Sequence, residues 1–201
     1  MNRNLVASAM ALAAVGAPQV NASSEEFTID AAHTYPAFAV KHLGISTQRG
    51  RFDKTTGRIT LDREAGAGTI EIVIDTTSVS TGSPQLDKVL RGEDFFDVEK
   101  HPRMTFRAQA LEFISGVPRS ARGEFTLLGV TKPVTLAIEH FGCTRMPLMV
   151  RTTCGADVST TLSRSAFGMN RYGTWIGDDV RISIQIEAVK IEPAQVQDPG
   201  G

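Results

Sequence analysis

Apolar and polar residues alternate with a period of two along most of this chain. In Val180-Arg181-Ile182-Ser183-Ile184-Gln185-Ile186-Glu187 every even position is apolar and every odd one polar, the pattern of a strand with one buried and one wet face. The same alternation runs through Thr69 to Asp75, Met104 to Arg107, Glu124 to Leu127 and Val134 to Glu139. It is weaker in Ala37 to Leu43, Gly50 to Leu61 and Ala156 to Leu162. These stretches predict about eight strands, separated by turn-forming clusters at Glu64 to Gly68, Ser115 to Pro118 and Thr131-Lys132-Pro133. One stretch departs from the pattern. Ser83-Pro84 followed by Leu86, Val89 and Leu90 at helical spacing predicts a short helix, capped by Ser83 and running to Arg91.

Strands with one apolar face each must curl to bury it, either as a two-sheet sandwich or as a closed barrel. Ile72, Ile74, Phe106, Phe125, Leu127, Leu136, Ile182 and Ile184 all fall on the apolar phase and are expected to face one interior. Periodicity alone leaves open whether that interior is a filled core or a cavity.

The two ends of the chain read differently. Arg3, the apolar run Leu5 to Ala17 and the small residues of Val20-Asn21-Ala22 form the pattern of a signal peptide, residues 1–22, with Ser23 as the first mature residue. The globular part is expected over 23–191, and 192–201 lacks apolar periodicity and is expected to be a disordered tail. Export implies an oxidising compartment, the periplasm. There the two cysteines, Cys143 and Cys154, are expected to pair across two adjacent strands joined by a loop containing Met146-Pro147-Leu148; two buried free thiols are the alternative. No histidine lies near them in a metal-binding spacing, and no metal is expected.

Removing Arg3 takes the 21 basic residues to 20, against 22 acidic ones. Charges of both signs are scattered, which excludes a nucleic-acid footprint and a massed basic surface.

Five ordered motifs carry a resemblance. Asp30 to Gly44, including His33, Tyr35-Pro36, Phe38, Val40 and His42, resembles the opening of the YceI family of periplasmic lipid-binding proteins. Gly50-Arg51-Phe52, then Asp94-Phe95-Phe96-Asp97 before His101-Pro102, then Gly123 to Val134, then Arg164 to Met169 leading to Gly177 to Val180 agree in order. The resemblance spans about residues 27–190. It implies an all-β fold, an extended eight-stranded antiparallel lipocalin-like barrel with one short helix, whose cavity holds an isoprenoid quinone or a polyprenyl phosphate. The lining of that cavity expected from strand phase is Phe38, Val40, Ile72, Ile74, Phe106, Phe125, Leu127, Leu136, Ile182 and Ile184. Contacts at the mouth or head group are expected from His33, His42, Arg164 and Trp175. The sequence departs from the family in the helix, where Leu86-Asp87 and Val89 stand in place of an expected Arg-Asp pair followed by histidine. The expected partner is the lipid, with transient contact to a membrane or a membrane redox protein, and no cofactor.

Catalytic readings are weaker. Asp30 with His33 and His42 suggests an acid and a base, yet no serine or cysteine stands in a nucleophile context, so the histidines are assigned to the fold or the cavity mouth. Asp94-Phe95-Phe96-Asp97 fits two rings plugging a barrel end and two aspartates capping turns better than a carboxylate pair. Gly123 and Gly129 lack phosphate-loop spacing. Arg164 is expected either to meet a lipid head group or to pair with a buried aspartate, and Trp175 either to form a lid over an apolar entrance or to pack on the surface. The expectation is a carrier and not an enzyme. An enzyme acting on such a lipid in the same barrel, or a structural accessory protein with a filled core, are the alternatives.

Overall fold

A computed structural model describes residues 24–146 and 151–192. The expected signal peptide and all but the first residue of the expected tail lie outside the described residues. The strands are β1 (Glu25–Ile29), β2 (Tyr35–His42), β3 (Ser46–Phe52), β4 (Thr55–Asp62), β5 (Ala67–Asp75), β6 (Val79–Ser80), β7 (Arg103–Ile114), β8 (Val117–Leu127), β9 (Val130–Met146), β10 (Arg151–Ser163) and β11 (Ile176–Lys190), with one helix, α1 (Pro84–Arg91).

All pairings are antiparallel, and they close into a barrel of eight staves. Three staves are interrupted strands. β1 and β2 form one, since β1 pairs β11 at Ile29↔Ala188 and β2 takes over at Tyr35↔Gln185. β3 and β4 form the second, facing β2 at Ala37↔Arg51 and β1 at Phe27↔Ile59. β5 and β6 form the third. The bend between β1 and β2 is pinned by the Thr34 hydroxyl, which donates to the Glu187 carbonyl and accepts from the Glu187 N–H, each at 3.1 Å. Asp30 tightens the same turn by accepting from the Ala32 N–H at 2.9 Å.

The eight predicted stretches each lie in one stave, but several boundaries move. Thr131-Lys132-Pro133, expected as a turn, belongs to β9. The turn is Leu128-Gly129, and with Ser115-Gly116 it is a two-residue hairpin loop with positive φ at both positions (52° and 75° in each). That geometry matches the right-handed twist of the flanking strands. β1 was not expected, because Glu25-Glu26 breaks its alternation. Helix α1 forms as expected, with the Ser83 hydroxyl accepting from the Leu86 N–H at 3.4 Å and Pro84 in the first turn. The Asp87 carboxylate accepts from the Thr81 N–H and hydroxyl, at 2.7 and 2.6 Å, and ties α1 back to β6.

Cys143 and Cys154 are direct cross-strand partners in β9 and β10, and they are joined by a disulfide. The expected pairing is correct, while residues 147–150 of the connecting loop lie outside the described residues.

Candidate functional site

Buried side chains gather in two clusters. One, toward the chain ends, contains Phe27, Leu61, Ala108, Leu111, Ala121, Cys154 and Ala188. The other, under α1, contains Phe52, Ile74, Val79, Leu90, Phe95, Phe96, Met104, Leu127 and Phe167. Ile72, Phe125 and Leu162 touch both yet are only half-buried, and so are Ile70, Leu136, Ile182, Ile184 and Ile186. Their side chains point inward in a closed barrel, so the surface they retain faces the lumen. The barrel is hollow between its two clusters.

The lumen is a cavity of about 620 Å³, walled almost entirely by apolar side chains. That size is ordinary for a small-molecule site, roughly 300–1,000 Å³. All ten residues expected to line it do so: Phe38, Val40, Ile72, Ile74, Phe106, Phe125, Leu127, Leu136, Ile182 and Ile184. Three large side chains approach the wall closely beside a glycine. A Cβ on Gly50 would overlap the Phe38 ring, one on Gly57 the Glu71 carbonyl and the tip of Ile72, and one on Gly123 the Arg107 carbonyl and the ring of Phe106.

The tube opens at the α1 end. Lining residues at the opposite end, such as Phe27 and Ala121, are buried, whereas Val89, Tyr172 and Trp175 line the cavity and remain exposed. Trp175 stacks on Tyr172 (centroids 6.2 Å apart, planes at 18°), which stacks in turn on Phe95. This places Trp175 at an apolar entrance, as one of its two expected roles required. His42 also lines the mouth, at the end of β2. Leu86 and Val89 of α1 face the cavity, so the positions where the helix departs from the expected polar pattern leave the entrance apolar.

Two expectations are corrected. His33 is not at the mouth. It sits on the outer bend between β1 and β2, its ring 2.9 Å from the Asp30 carboxylate, and lines no part of the cavity. Hydrogen bonding to Asp30 raises the His33 pKa and lowers that of Asp30. Arg164 lines the cavity and is buried, but its partner is not an aspartate. Its guanidinium donates to the carbonyls of Gly177 (3.0 Å), Met169 (2.6 Å), Arg171 (2.9 Å) and Ile176 (3.1 Å). The segment 165–176 wraps around this one side chain, and four of its five N–H donors are spent there. Asp178, in the bulge that interrupts the β11 pairing with β2, anchors the other side of the segment through Ser163 and Ser165. Those hydrogen bonds, the Ser163 hydroxyl first, hold the Asp178 pKa below its ordinary 3.8.

Phe95 and Phe96 are buried under α1 and line the cavity beside its opening, so they wall the entrance instead of plugging the barrel end. Asp97 serves its turn, at φ 41°, and pairs with Lys100. Asp94 does not cap a turn but bridges to Arg171 (2.9 Å) and the Tyr172 hydroxyl (3.0 Å). The two carboxylates are thus engaged away from the lumen.

Lining residues outside the expected set include Phe52, Thr55, Thr160, Leu162, Ile176 and Ile186. All but Ile176 lie within stretches already read as strands. Thr55 and Thr160 were hidden because a hydroxyl on the inner phase reads as a polar outer residue. The Thr55 hydroxyl is the only buried side-chain polar atom without a hydrogen-bond partner among the described residues.

A model of the YceI-like domain matches residues 27–188. The chain belongs to the YceI family. A UPF0312 protein of Pseudomonas paraeruginosa is 30% identical over 191 residues, covering 94% of this chain and 99% of that one. The crystal structure of a Campylobacter jejuni YceI protein superposes with a TM-score of 0.65 at 26% identity, covering 76% and 90% of the two chains. A polyisoprenoid binding domain from Saccharophagus degradans shares the fold, with a TM-score of 0.59 at 14% identity over 82% and 98%.

Proposed function

We propose that this YceI protein is an exported, periplasmic carrier of an isoprenoid lipid, held in the barrel cavity, and that it catalyses no reaction. The observation that carries the reading is the set of inward-facing Ile, Leu and Phe residues whose remaining exposure is to the lumen. An isoprene unit sequestered there removes five carbons from water, about 4 kcal/mol per unit at roughly 0.8 kcal/mol per CH2. Several units supply enough to offset the ordering of a flexible chain. The polyisoprenoid-binding description of the Saccharophagus degradans neighbour supports the same ligand class. The apolar leader and the disulfide support the compartment.

Between the two head groups, an isoprenoid quinone fits better than a polyprenyl phosphate. Arg164, the one buried cation among the described residues, has four of its five N–H donors committed to carbonyls, and Arg49 stands at the exposed mouth, so a phosphate drawn past the rim would shed water for little compensation. A quinone oxygen asks only for a hydroxyl donor, and Thr160 and Thr55 supply hydroxyls on the wall. Native mass spectrometry of freshly purified mature protein, followed by lipid extraction, tests the proposal. A co-purifying quinone supports it, a polyprenyl phosphate overturns the head-group assignment, and a lipid-free protein that takes up neither overturns the carrier reading.

A further inference from the structure

The rim of the tube carries an apolar surface that the carrier reading does not require. Of the large apolar side chains exposed on the described residues, Leu43, Ile45, Val89, Tyr172 and Trp175 all lie at the α1 end, with Ile45 83% and Trp175 57% exposed. They come from three separate segments: the β2–β3 hairpin tip, α1 and the loop before β11. The segments form one surface. The Leu43 N–H donates to the Trp175 carbonyl at 2.6 Å, and Tyr172 stacks on Phe95, which follows α1.

Lys41, Arg49 and Lys88 are exposed beside these residues, and none is in an ion pair among the described residues. Several carboxylates at this end are held by other groups: Asp94 by Arg171, Asp97 by Lys100, Asp87 by Thr81 and Asp178 by serines. Glu93 on the same end is exposed.

We infer that this rim is a bilayer-docking surface, which seats the open end of the tube on the headgroup region of a membrane. Three features favour a bilayer over a protein partner. The apolar side chains come from a hairpin tip, a helix and a loop set around the open mouth, which suits insertion into a fluid phase. The exposed pair is Trp and Tyr, whose rings prefer the boundary between headgroups and acyl chains. The neighbouring lysines are long enough to reach anionic headgroups while their stems lie against the apolar residues. Docking also joins the lumen to the acyl phase, so a water-insoluble chain moves between them without crossing water. That last point rests on the carrier reading, whereas the docking itself does not.

Trp175 is the chain's single tryptophan, so its emission reports the rim directly. Lipid-free mature protein is mixed with vesicles of phosphatidylcholine alone or with added phosphatidylglycerol, neither containing isoprenoid. Blue-shifted emission and co-sedimentation are expected, stronger with phosphatidylglycerol and weakened by salt. The double variant Leu43→Ser/Ile45→Ser should lower partitioning by about tenfold or more, the loss expected when two exposed aliphatic side chains no longer insert. Ile114→Ser, an exposed apolar residue at the opposite end of the barrel, should leave it unchanged. Circular dichroism melting of each variant establishes that it is folded. No emission shift and no co-sedimentation with either vesicle would overturn the inference, and so would equal losses in the two variants. A concentration-dependent dimer that buries Trp175 in the absence of vesicles would overturn it in favour of self-association. Because the vesicles hold no isoprenoid, a docking failure is separate from a failure to carry lipid.

Discussion

Replacing Ile72 by Trp separates a hollow barrel from a solid one. Ile72 sits midway along β5, opposite Gly57 on one side and Phe106 on the other, and its tip already lies in the space that a Gly57 side chain would fill. The wall therefore has no room left, and the added indole must extend into the lumen. In a filled core the change would overpack the interior and cost about 1–3 kcal/mol. For a domain of this size about 2–4 °C of melting temperature follows each kcal/mol, so the lipid-free variant would melt roughly 2–12 °C early. In a tube of about 620 Å³ the ring occupies free volume, and the lipid-free melting temperature should change little. The effect appears instead with ligand. Lipid at a hundredfold excess over its dissociation constant stabilises the wild type by about 2.7 kcal/mol, or roughly 5–11 °C. The variant should lose most of that gain together with its bound lipid. Differential scanning calorimetry with and without lipid, and lipid per protein after extraction, read both quantities on wild type and variant side by side. A wild type that yields no lipid, with a variant that simply melts early, refutes the reasoning; so does a variant that takes up lipid as the wild type does.

Thr55→Val keeps the side-chain shape and removes the unpartnered buried hydroxyl. Lipid-free protein should gain about 1 kcal/mol in urea unfolding while its affinity for quinone falls, and a loss of stability would show that the hydroxyl is satisfied. Reducing the Cys143–Cys154 bond opens a loop of about a dozen residues and should lower unfolding free energy by up to about 3 kcal/mol, read as a shift in denaturation midpoint with and without reductant. Asp178 has a folded pKa below its ordinary 3.8, so its stabilising contribution is present above that value and is lost as pH falls through the lowered one. Trp175 emission should therefore change only in strong acid, and Asp178→Asn should show the altered emission already at neutral pH. Gly50→Ala meets only side-chain atoms, of Phe38 and Thr81, and should tip the Phe38 ring into the lumen and reduce bound lipid without unfolding the barrel, as measured by extraction and circular dichroism.

The staves were legible where the two faces differ in chemistry along their whole length, as in β5 and β11. They were obscured where that difference fades. Glu25-Glu26 hides β1, and Pro133 on the exposed face of β9 imitates a turn. Gly50 to Leu61 reads as one strand and is one stave, but it is broken at Asp53-Lys54, where the neighbouring stave also breaks between β5 and β6. The inward phase changes parity at that break, from Gly50 and Phe52 to Thr55, Gly57 and Ile59, but the alternation is too weak on either side for the one-residue shift to stand out.

The cavity was harder to see than the barrel, for a physical reason. An isoleucine that packs against another isoleucine and one that waits for a ligand have the same identity and the same phase, so alternation names the lining without revealing the lumen. The information lay in the small residues of the inner phase. Gly50 and Gly57 point inward opposite Phe38 and Ile72, and Gly123 lies under the Phe106 ring. A core built for density would fill those places. Here each empty place admits a neighbouring side chain or backbone carbonyl to close approach, which keeps bulk out of the lumen. The polar groups tell the same story from the other side. Arg164, read as either a head-group ligand or the partner of a buried aspartate, spends most of its donors in shaping the loop that carries Trp175. The threonines that face the tube looked like surface. What a lone sequence position suggests about chemistry depends on where its hydrogen bonds are spent, and that is decided by residues a dozen positions away.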